Sequence, residues 1–588
     1  MRHPSGRHLA TPLLLLASAI LLTVIHPPHG GSAWAWIALV PFILASHPKT
    51  PTRHLVIWCL LIFAGYWLLN LRWLSPITVA GWIAFCLYSA PLAVLTALCL
   101  RWCRQQSLPM SLCVAVLWVG AEQCQGLFLG GFYWRFLGHS QFQNLPLIQI
   151  ADLTGAGGVS FVLALANGLI TDIWLAFRKQ RLRRFSLLLN ASAVMTVIVG
   201  VLSYGLWRLN QSHIYETPGP KVAAIQSNVP QSVKDTFSAS EDILSNLLAD
   251  SNDCAASQPD LIVWPETMVQ CIVDLDVWPY LQNQEYVTQC RTTDLRLRKH
   301  VSEHTIHLLT GAYGATIGED TEGVLYLRNH NSAVLYRPEG LRDPDRYDKI
   351  HLVLFGEYLP FKRTWPWLHQ LLLGWTPYEY DYSLDAGNLQ TLFSLPHRNL
   401  TTPTDTNTAI ETAQDPYQFG VIICFEDTIP RLARSYALDE QGRKQVDWLV
   451  NISNDGWFVG FDDTTGDVQA TAELIQHVAI CTFRAVENRL GILRSVNTGI
   501  SCLIAPSGRI HWGFNHASPG FPEDPLARQG IAGWFADTMP IDTRVTWFTR
   551  LGPWLDRVCA WIFGLLSLGI VLQGLLSRRR FRRLWRLR

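Results

Sequence analysis

Long apolar runs fill the first 200 residues, where Asp and Glu are nearly absent, and polar residues become common only after Tyr215. A helix that crosses about 30 Å of hydrocarbon needs roughly 20 residues. Eight stretches meet or approach that length: residues 12–25, 34–46, 55–71, 79–100, 108–129, 147–177, 187–209 and 558–576. The first two are short and bounded by Pro or Gly, which leaves open whether they cross fully, tilt near the surface or form a hairpin. The third contains Gly65, and the sixth contains Gly155, Gly157 and Gly158, where a missing side chain permits a bend or a close helix contact.

From Lys221 the pattern changes to short β-branched runs closed by polar turns: VAAIQSN (222–228), DLIVWPE (260–266), IHLLTGAYG (306–314), SAVLYRPEG (332–340), GVIICFED (420–427) and DWLVNISNDGWF (447–458). Longer amphipathic stretches, including 231–250 and 470–487, alternate with them. This rhythm predicts a layered α/β domain whose strands are covered by helices on at least one face. The chain thus divides into a membrane part (1–209, about seven spans), a polar part with linkers (210–557), and a last span with a basic tail (558–588). Two aromatic-rich inserts, 268–291 and 361–384, follow the ends of strands that carry candidate site residues and read as lids or membrane-facing loops, with ordinary surface packing as the alternative.

Composition sharpens this picture. The chain is 49% hydrophobic and only 16% charged, against about 25% charged in an ordinary soluble domain. A formal net charge of +1 gives no basic surface for nucleic acid. The basic residues fall in clusters instead: Lys49 and Arg53, then Arg101 and Arg104, then Arg178 to Arg184, and finally seven arginines from Arg578 to Arg588. With a cytoplasmic N-terminus all of these lie inside, so the polar part faces outward. Most of the 13 cysteines lie in or beside apolar spans, and the rest match no zinc or disulfide framework.

Cys424 is the exception, because it ends an apolar strand just before Phe425, Glu426 and Asp427, with Pro430 placed to begin a helix. A thiol at such a turn can protrude towards backbone N–H groups that stabilise negative charge. Glu266 also ends a strand, and Lys349 lies in YDKIHLVLFGEYLP. A free thiol is only a few per cent thiolate at neutral pH, so a carboxylate that takes its proton and a cation that favours an oxyanion address different defects. Glu266, Lys349 and Cys424 are therefore the expected catalytic set. Glu357 is expected to orient or charge-balance Lys349, while Glu426, next to the nucleophile, has the stronger claim to a purely structural role. A cysteine–histidine pair using His351 or His477 is the competing chemistry. Asp462, Asp463 and Asp467 read as a solvated loop, and neither a metal nor a cofactor is expected.

These motifs carry a resemblance. LIVWPE ending at Glu266, KIHLVLFGEYLP from Lys349 and GVIICFED around Cys424 resemble the base, lysine and nucleophile motifs of the carbon–nitrogen hydrolase, or nitrilase, superfamily. The whole chain is similar to the bacterial apolipoprotein N-acyltransferase family. Glu357 fits that family's additional glutamate, NISNDGWF from Asn451 fits its active-site loop and brings in Trp457 as a supporting residue, and RAVENRLGILRSVNTGIS from Arg484 follows its pattern. The resemblance implies an α-β-β-α sandwich joined to a multi-pass helical membrane domain, a thioester acyl-enzyme, a phospholipid acyl donor and an S-diacylglyceryl apolipoprotein acceptor, with the catalytic domain on the periplasmic side of the inner membrane. The chain departs from the family at Tyr133-Trp134, where Pro-Trp is common, at Phe425, where tyrosine is common, and in the 457–467 loop. A membrane-bound amidase or other acyl hydrolase is the runner-up, and a transporter would need paired charges inside the spans.

Overall fold

The computed structural model describes residues 5–178, 184–234, 239–319, 323–362, 364–374, 381–397, 415–462 and 468–586. Lys179, Arg181, Arg183, Asp463, Asp467, Arg588 and residues 375–380 of the second aromatic insert lie outside the described residues.

Helices form the membrane part: α1 (Ser5–Val24), α2 (Val40–Ala45), α3 (Thr52–Asn70), α4 (Val79–Gln105), α5 (Met110–Gly126), the short α6 (Leu145–Ile148) and α7 (Ala151–Thr154), α8 (Ala156–Phe177) and α9 (Arg184–Tyr215). A further helix, Trp554–Arg586, packs on α5 and α4. Five of the described helices are long and apolar enough to span a bilayer: α3, α4, α8, most of α9 and Trp554–Leu576. The second apolar segment is not one helix. A 3-10 turn at Ser32–Trp36 precedes α2, and buried Asn167 on α8 satisfies the break, accepting the Leu39 N–H at 2.8 Å and donating to the Ala35 carbonyl at 2.9 Å. The sixth segment also divides, because Gly155 takes φ +76°, a left-handed conformation that side chains resist, and the span begins only at Ala156. Helix α9 runs past residue 209 to Tyr215 and feeds directly into the first strand.

Acidic groups inside this part cap and tie. Asp172 accepts the Met110 N–H at 2.9 Å at the start of α5, and Glu122 accepts the Leu137 N–H at 2.6 Å and the Trp118 indole at 2.9 Å. Asp152 pairs with Arg208 of α9 and with Arg489 of the polar part, both at 2.7 Å. The charged partners, Arg208 and Arg489, come from other elements, so the pairing cannot be read within one span.

Among its described residues the polar part has fifteen strands. β1 (Glu216–Gln226), β2 (Leu261–Val263), β3 (Val269–Ile272), β4 (His307–Glu319), β5 (Leu325–Arg337) and β6 (Leu341–Asp348) build one sheet with two later strands. β7 (Leu392–Leu395), β8 (Tyr417–Ile423) and β9 (Trp448–Ser453) begin the second sheet, the short β10 (Gly460–Phe461) and β11 (Val468–Gln469) pair with each other, and β12 (Gly491–Val496) and β13 (Cys502–Ile504) complete the second sheet. β14 (His516–Ala517) and β15 (Gly533–Asp542) return to the first. The sheet orders are β14-β15-β1-β2-β4-β5-β6, with β3 beside β4, and β13-β12-β9-β8-β7.

The sheets pack face to face. Val222, Val263 and Leu309 of the first share one core with Val421, Val450 and Ile492 of the second. Alternation along each strand sends Ala223, Ile262 and Leu308 to the opposite face, where Leu247 and Leu297 of the helices Ser240–Ala255 and Gln284–His304 cover them. The result is an α-β-β-α sandwich. The first aromatic insert is not a lid: Val269, Cys271, Trp278 and Val287 are buried in this outer core, β3 joins the sheet, and the alternative of ordinary packing holds. In the second insert Trp365 and Trp367 are exposed around the helix Pro366–Leu373, while His369 of that helix is buried.

The helix Ala472–Asn488 covers the second sheet and does more than the amphipathic pattern predicts. Leu474, Val478, Cys481 and Ala485 pack on the sheet, while Ala479, Ile480, Phe483 and Val486 pack into the membrane bundle. Its polar residues are buried too, so the helix is a seam between two cores rather than a surface layer with one wet face.

Candidate active site

Three element ends converge between the sheets and the membrane part. Glu266 follows β2, Lys349 follows β6 and Cys424 follows β8. Glu266 is 5% exposed, Lys349 1% and Cys424 5%. Lys349 Nζ donates to Glu266 Oε1 at 3.2 Å and to Glu357 Oε1 at 2.8 Å. Asn331 of β5 donates to the same two carboxylates, at 2.7 Å to Glu266 and 2.9 Å to Glu357, so it fixes both around the ammonium. The second oxygen of Glu266 accepts the Asn454 N–H at 2.8 Å, and that of Glu357 accepts the Val353 N–H at 2.8 Å.

Burial disfavours the Lys349 charge, but the Glu266 and Glu357 carboxylates, with Cys424 beyond them, outweigh it and hold the ammonium well above its ordinary pKa. Cys424 moves the other way. Burial, then the Glu266 charge, push its thiol far up, against the opposing pull of Lys349 and His477. The Cys424 sulfur is therefore held as a thiol.

Cys424 also stands at φ +53°, a left-handed conformation uncommon for a residue with a Cβ. Two contacts secure the turn. Asn451 of β9 donates to the Cys424 carbonyl at 3.3 Å and to that of Ile422 at 3.2 Å. Glu426 is fully buried and accepts four donors: Ile423 N–H at 2.7 Å, Tyr347 hydroxyl at 2.8 Å, Ile350 N–H at 2.8 Å and His351 N–H at 2.9 Å. Glu426 thus staples the nucleophile turn to the chain around Lys349, and burial lifts its carboxyl to about 7.

Behind the turn lies a cluster that the sequence pattern does not disclose. His477 Nε2 meets Asp427 Oδ1 at 2.8 Å, its Nδ1 lies 3.1 Å from Glu473 and 3.4 Å from Asp455, and Arg494 pairs with Asp427 and sits 3.6 Å from Asp455. All five side chains are at most 1% exposed. Despite burial, Asp427 and Asp455 hold His477 well above its ordinary pKa. An imidazolium cannot accept the thiol proton. His351 stacks on the ring of Phe425 with centroids 6.3 Å apart, and burial, Arg431 and Lys349 lower it to about 4. Neither histidine is placed as the base of a cysteine–histidine pair. Asp455, Glu473 and His477 present ligand atoms within 4.8 Å of one another, close enough for a cation, but Arg494 already supplies positive charge there.

Phe425 points the site towards the membrane part. It stacks on Trp134, centroids 6.2 Å apart and planes 1° from parallel, and Trp134 in turn donates its indole N–H to Gln476 at 2.8 Å. An apolar cavity of about 80 Å³ opens here, lined by Phe425, His351, Trp134, Phe132, Phe85 and Ile77 among others. Phe458, rather than half-buried Trp457, lines this cavity and its larger neighbour. Sequence reasoning passed over Asn331 and Asn454 as well; the signal for Asn331 is an amide just before the apolar run SAVLY in β5.

Comparison with known proteins follows the same division. Residues 18–169 match the apolipoprotein N-acyltransferase N-terminal domain, and residues 221–519 match the carbon-nitrogen hydrolase family. An apolipoprotein N-acyltransferase of Geobacter metallireducens is 30% identical over 517 residues, 85% of this chain and 86% of the relative. The chain belongs to the apolipoprotein N-acyltransferase family. One of Chlorobaculum tepidum is 25% identical over 589 residues, 96% of this chain and 97% of that one. Among solved structures, an amidase from Nesterenkonia is similar at 15% identity and a TM-score of 0.31, covering 55% of this chain and 92% of that one. For this family the membrane helices are part of the enzyme, and the seam at Ala472–Asn488 joins them to the sandwich.

Proposed function

We propose that the chain N-acylates apolipoproteins in two steps on Cys424, with a phospholipid as donor. In the first, Glu266 takes the Cys424 proton as the sulfur attacks a lipid ester carbonyl, and Lys349 stabilises the oxyanion. Collapse breaks the ester C–O bond, and the proton on Glu266 leaves with the lysophospholipid alcohol, which leaves a thioester. In the second, the α-amine of an S-diacylglyceryl cysteine attacks the thioester carbonyl, Glu266 takes the amine proton, the amide forms and the sulfur is reprotonated. Glu357 and Asn331 hold Lys349 and Glu266 in register, and Glu426 holds the turn.

The observation that carries this reading is the ion-paired Glu266–Lys349 pair, 3.2 Å apart, next to a buried thiol whose neighbour Phe425 lines an apolar cavity shared with the membrane helices. Burial of the thiol and the apolar lining next to Phe425 favour transfer of an acyl chain over the hydrolysis expected of a membrane-bound amidase. The basic clusters support an arrangement in which residues 1–209 cross the inner membrane, 210–557 stand on the periplasmic side and 558–588 return to the cytoplasm.

The test is purified protein with phospholipid and a diacylglyceryl lipopeptide, read by mass spectrometry. N-acylated lipopeptide is expected. Free fatty acid without acylated peptide would support the hydrolase instead.

A further inference from the structure

A second, larger cavity of about 1040 Å³ lies between α1 and α3, at the upper end of the size of small-molecule pockets. Its flank is apolar and faces outward, with Leu16, Ile20, Leu61 and Leu69 all exposed. Its head is polar, formed where α1 and α3 end beneath Gly460 and the segment from Gln469 to Ala472. Two arginines, Arg72 and Arg135, line this head, and among the described lining residues there is no Asp or Glu.

Arg135 is 7% exposed. Its guanidinium donates to the Tyr66 hydroxyl at 3.2 Å and the Leu22 carbonyl at 3.0 Å, both neutral acceptors, and among the described residues no carboxylate forms an ion pair with it. A buried cation without a counter-ion is costly, and an anion that enters the cavity relieves that cost. Trp73 adds an independent sign: it lines the same cavity, is 7% exposed, and its indole N–H has no hydrogen-bond partner among the described residues.

We propose that this groove holds a bilayer phospholipid, with its phosphate at Arg72 and Arg135 and its chains along α1 and α3. The apolar flank on the bilayer side together with a cationic head that no described carboxylate pairs with matches that chemistry, and a guanidinium suits phosphate geometrically. The groove is separate from the reaction cavity but abuts it. Trp73 and Phe458, edge to face with centroids 5.2 Å apart, line both. Resting on the phospholipid-donor reading above, the groove is a holding site for the donor. A diacylglyceryl lipopeptide has no phosphodiester and gains nothing from the two arginines.

Cys424→Ala protein in detergent, unable to turn over, tests binding alone by native mass spectrometry with phosphatidylethanolamine and with diacylglycerol of the same chains. Phosphatidylethanolamine should be retained in preference. Arg72→Gln and Arg135→Gln should each weaken its retention by about tenfold and leave diacylglycerol unchanged. Gly65 lines the groove, and a Cβ built there meets nothing within 4 Å, so Gly65→Phe should plug it without disturbing the fold and weaken both lipids. Unchanged phosphatidylethanolamine retention in Arg72→Gln, an exposed position whose variant tests the idea even if Arg135→Gln does not fold, overturns the proposal. Equal weakening of both lipids by the arginine variants overturns it as well. On the Cys424 background, failed turnover in the wild type cannot mimic either result. In the active enzyme, Arg72→Gln should raise KM for the phospholipid and leave discharge of preformed acyl-enzyme to lipopeptide unaltered.

Discussion

Cys424 is a thiol held in a strained turn beside a carboxylate, with its pKa pushed up by burial and by Glu266. In the proposed reaction, activation therefore depends on proton transfer to Glu266 rather than on a standing thiolate. Glu266→Gln keeps the hydrogen bonds to Asn331 and Asn454 largely available but cannot take the proton. It should slow single-turnover acylation by about 10²–10⁴-fold with the protein still folded, and a near-normal rate would remove Glu266 from that role. Glu473 gives a pH signature. Burial, then Asp455, raise its carboxyl from 4.5 to about 7. A carboxyl whose folded pKa is raised favours the fold while protonated, and that contribution is lost as pH climbs from about 4.5 to about 7, by roughly 3 kcal/mol at most. Across that window the Tm of the wild type should fall relative to Glu473→Gln, and parallel curves would show that Glu473 is ionised throughout. Glu266 and Cys424 are legible in the sequence because each closes an apolar strand, Lys349 and Glu357 because they lie in the motif YDKIHLVLFGEYLP, and the structure brings all four together. The Asp427, Asp455, Glu473, His477 and Arg494 cluster is not, because its members come from four separate elements that only the fold brings together.

Among the elements, the strands and long helices follow from periodicity, whereas breaks and buried faces do not. The glycines of the apolar run 147–177 permit a bend, but the sequence does not say that Gly155 ends one helix and starts another, since the deciding quantity is a positive φ set by packing. The helix Ala472–Asn488 reads as amphipathic, and its polar face is buried only because the membrane bundle lies on top of it. Close helix contacts make a sharper test. A Cβ on Gly120 of α5 would fall 2.4 Å from the Cys559 carbonyl oxygen of the last helix, whereas one on Gly564 meets nothing within 4 Å. Gly120→Val should force that helix away and lower Tm in detergent by several degrees, while Gly564→Ala should leave it unchanged. Equal Tm values for the two variants would mean that α5 and the last helix do not pack through Gly120.

At the scale of the whole molecule, the basic clusters and the continuous seam between sandwich and bundle set where the chemistry happens. Ser245 is exposed on the helix Ser240–Ala255, and Ser107 is exposed between α4 and α5. Cysteines placed there, in a protein whose native thiols are buried or half-buried, should differ towards a membrane-impermeant thiol reagent on intact spheroplasts. Position 245 should label at once and position 107 only after lysis; the reverse pattern would invert the orientation. The central claim is that acyl groups pass from lipid to lipoprotein through the sulfur of Cys424, and intact-protein mass spectrometry tests it most directly. After exposure to phospholipid, the wild type should gain one acyl mass on Cys424 and lose it when diacylglyceryl lipopeptide is added, with the acylated peptide appearing in equal amount. Cys424→Ser should gain nothing and form no product. Transfer to the peptide by Cys424→Ser at a rate comparable to wild type, or by a wild type that never carries the acyl mass, would contradict the account.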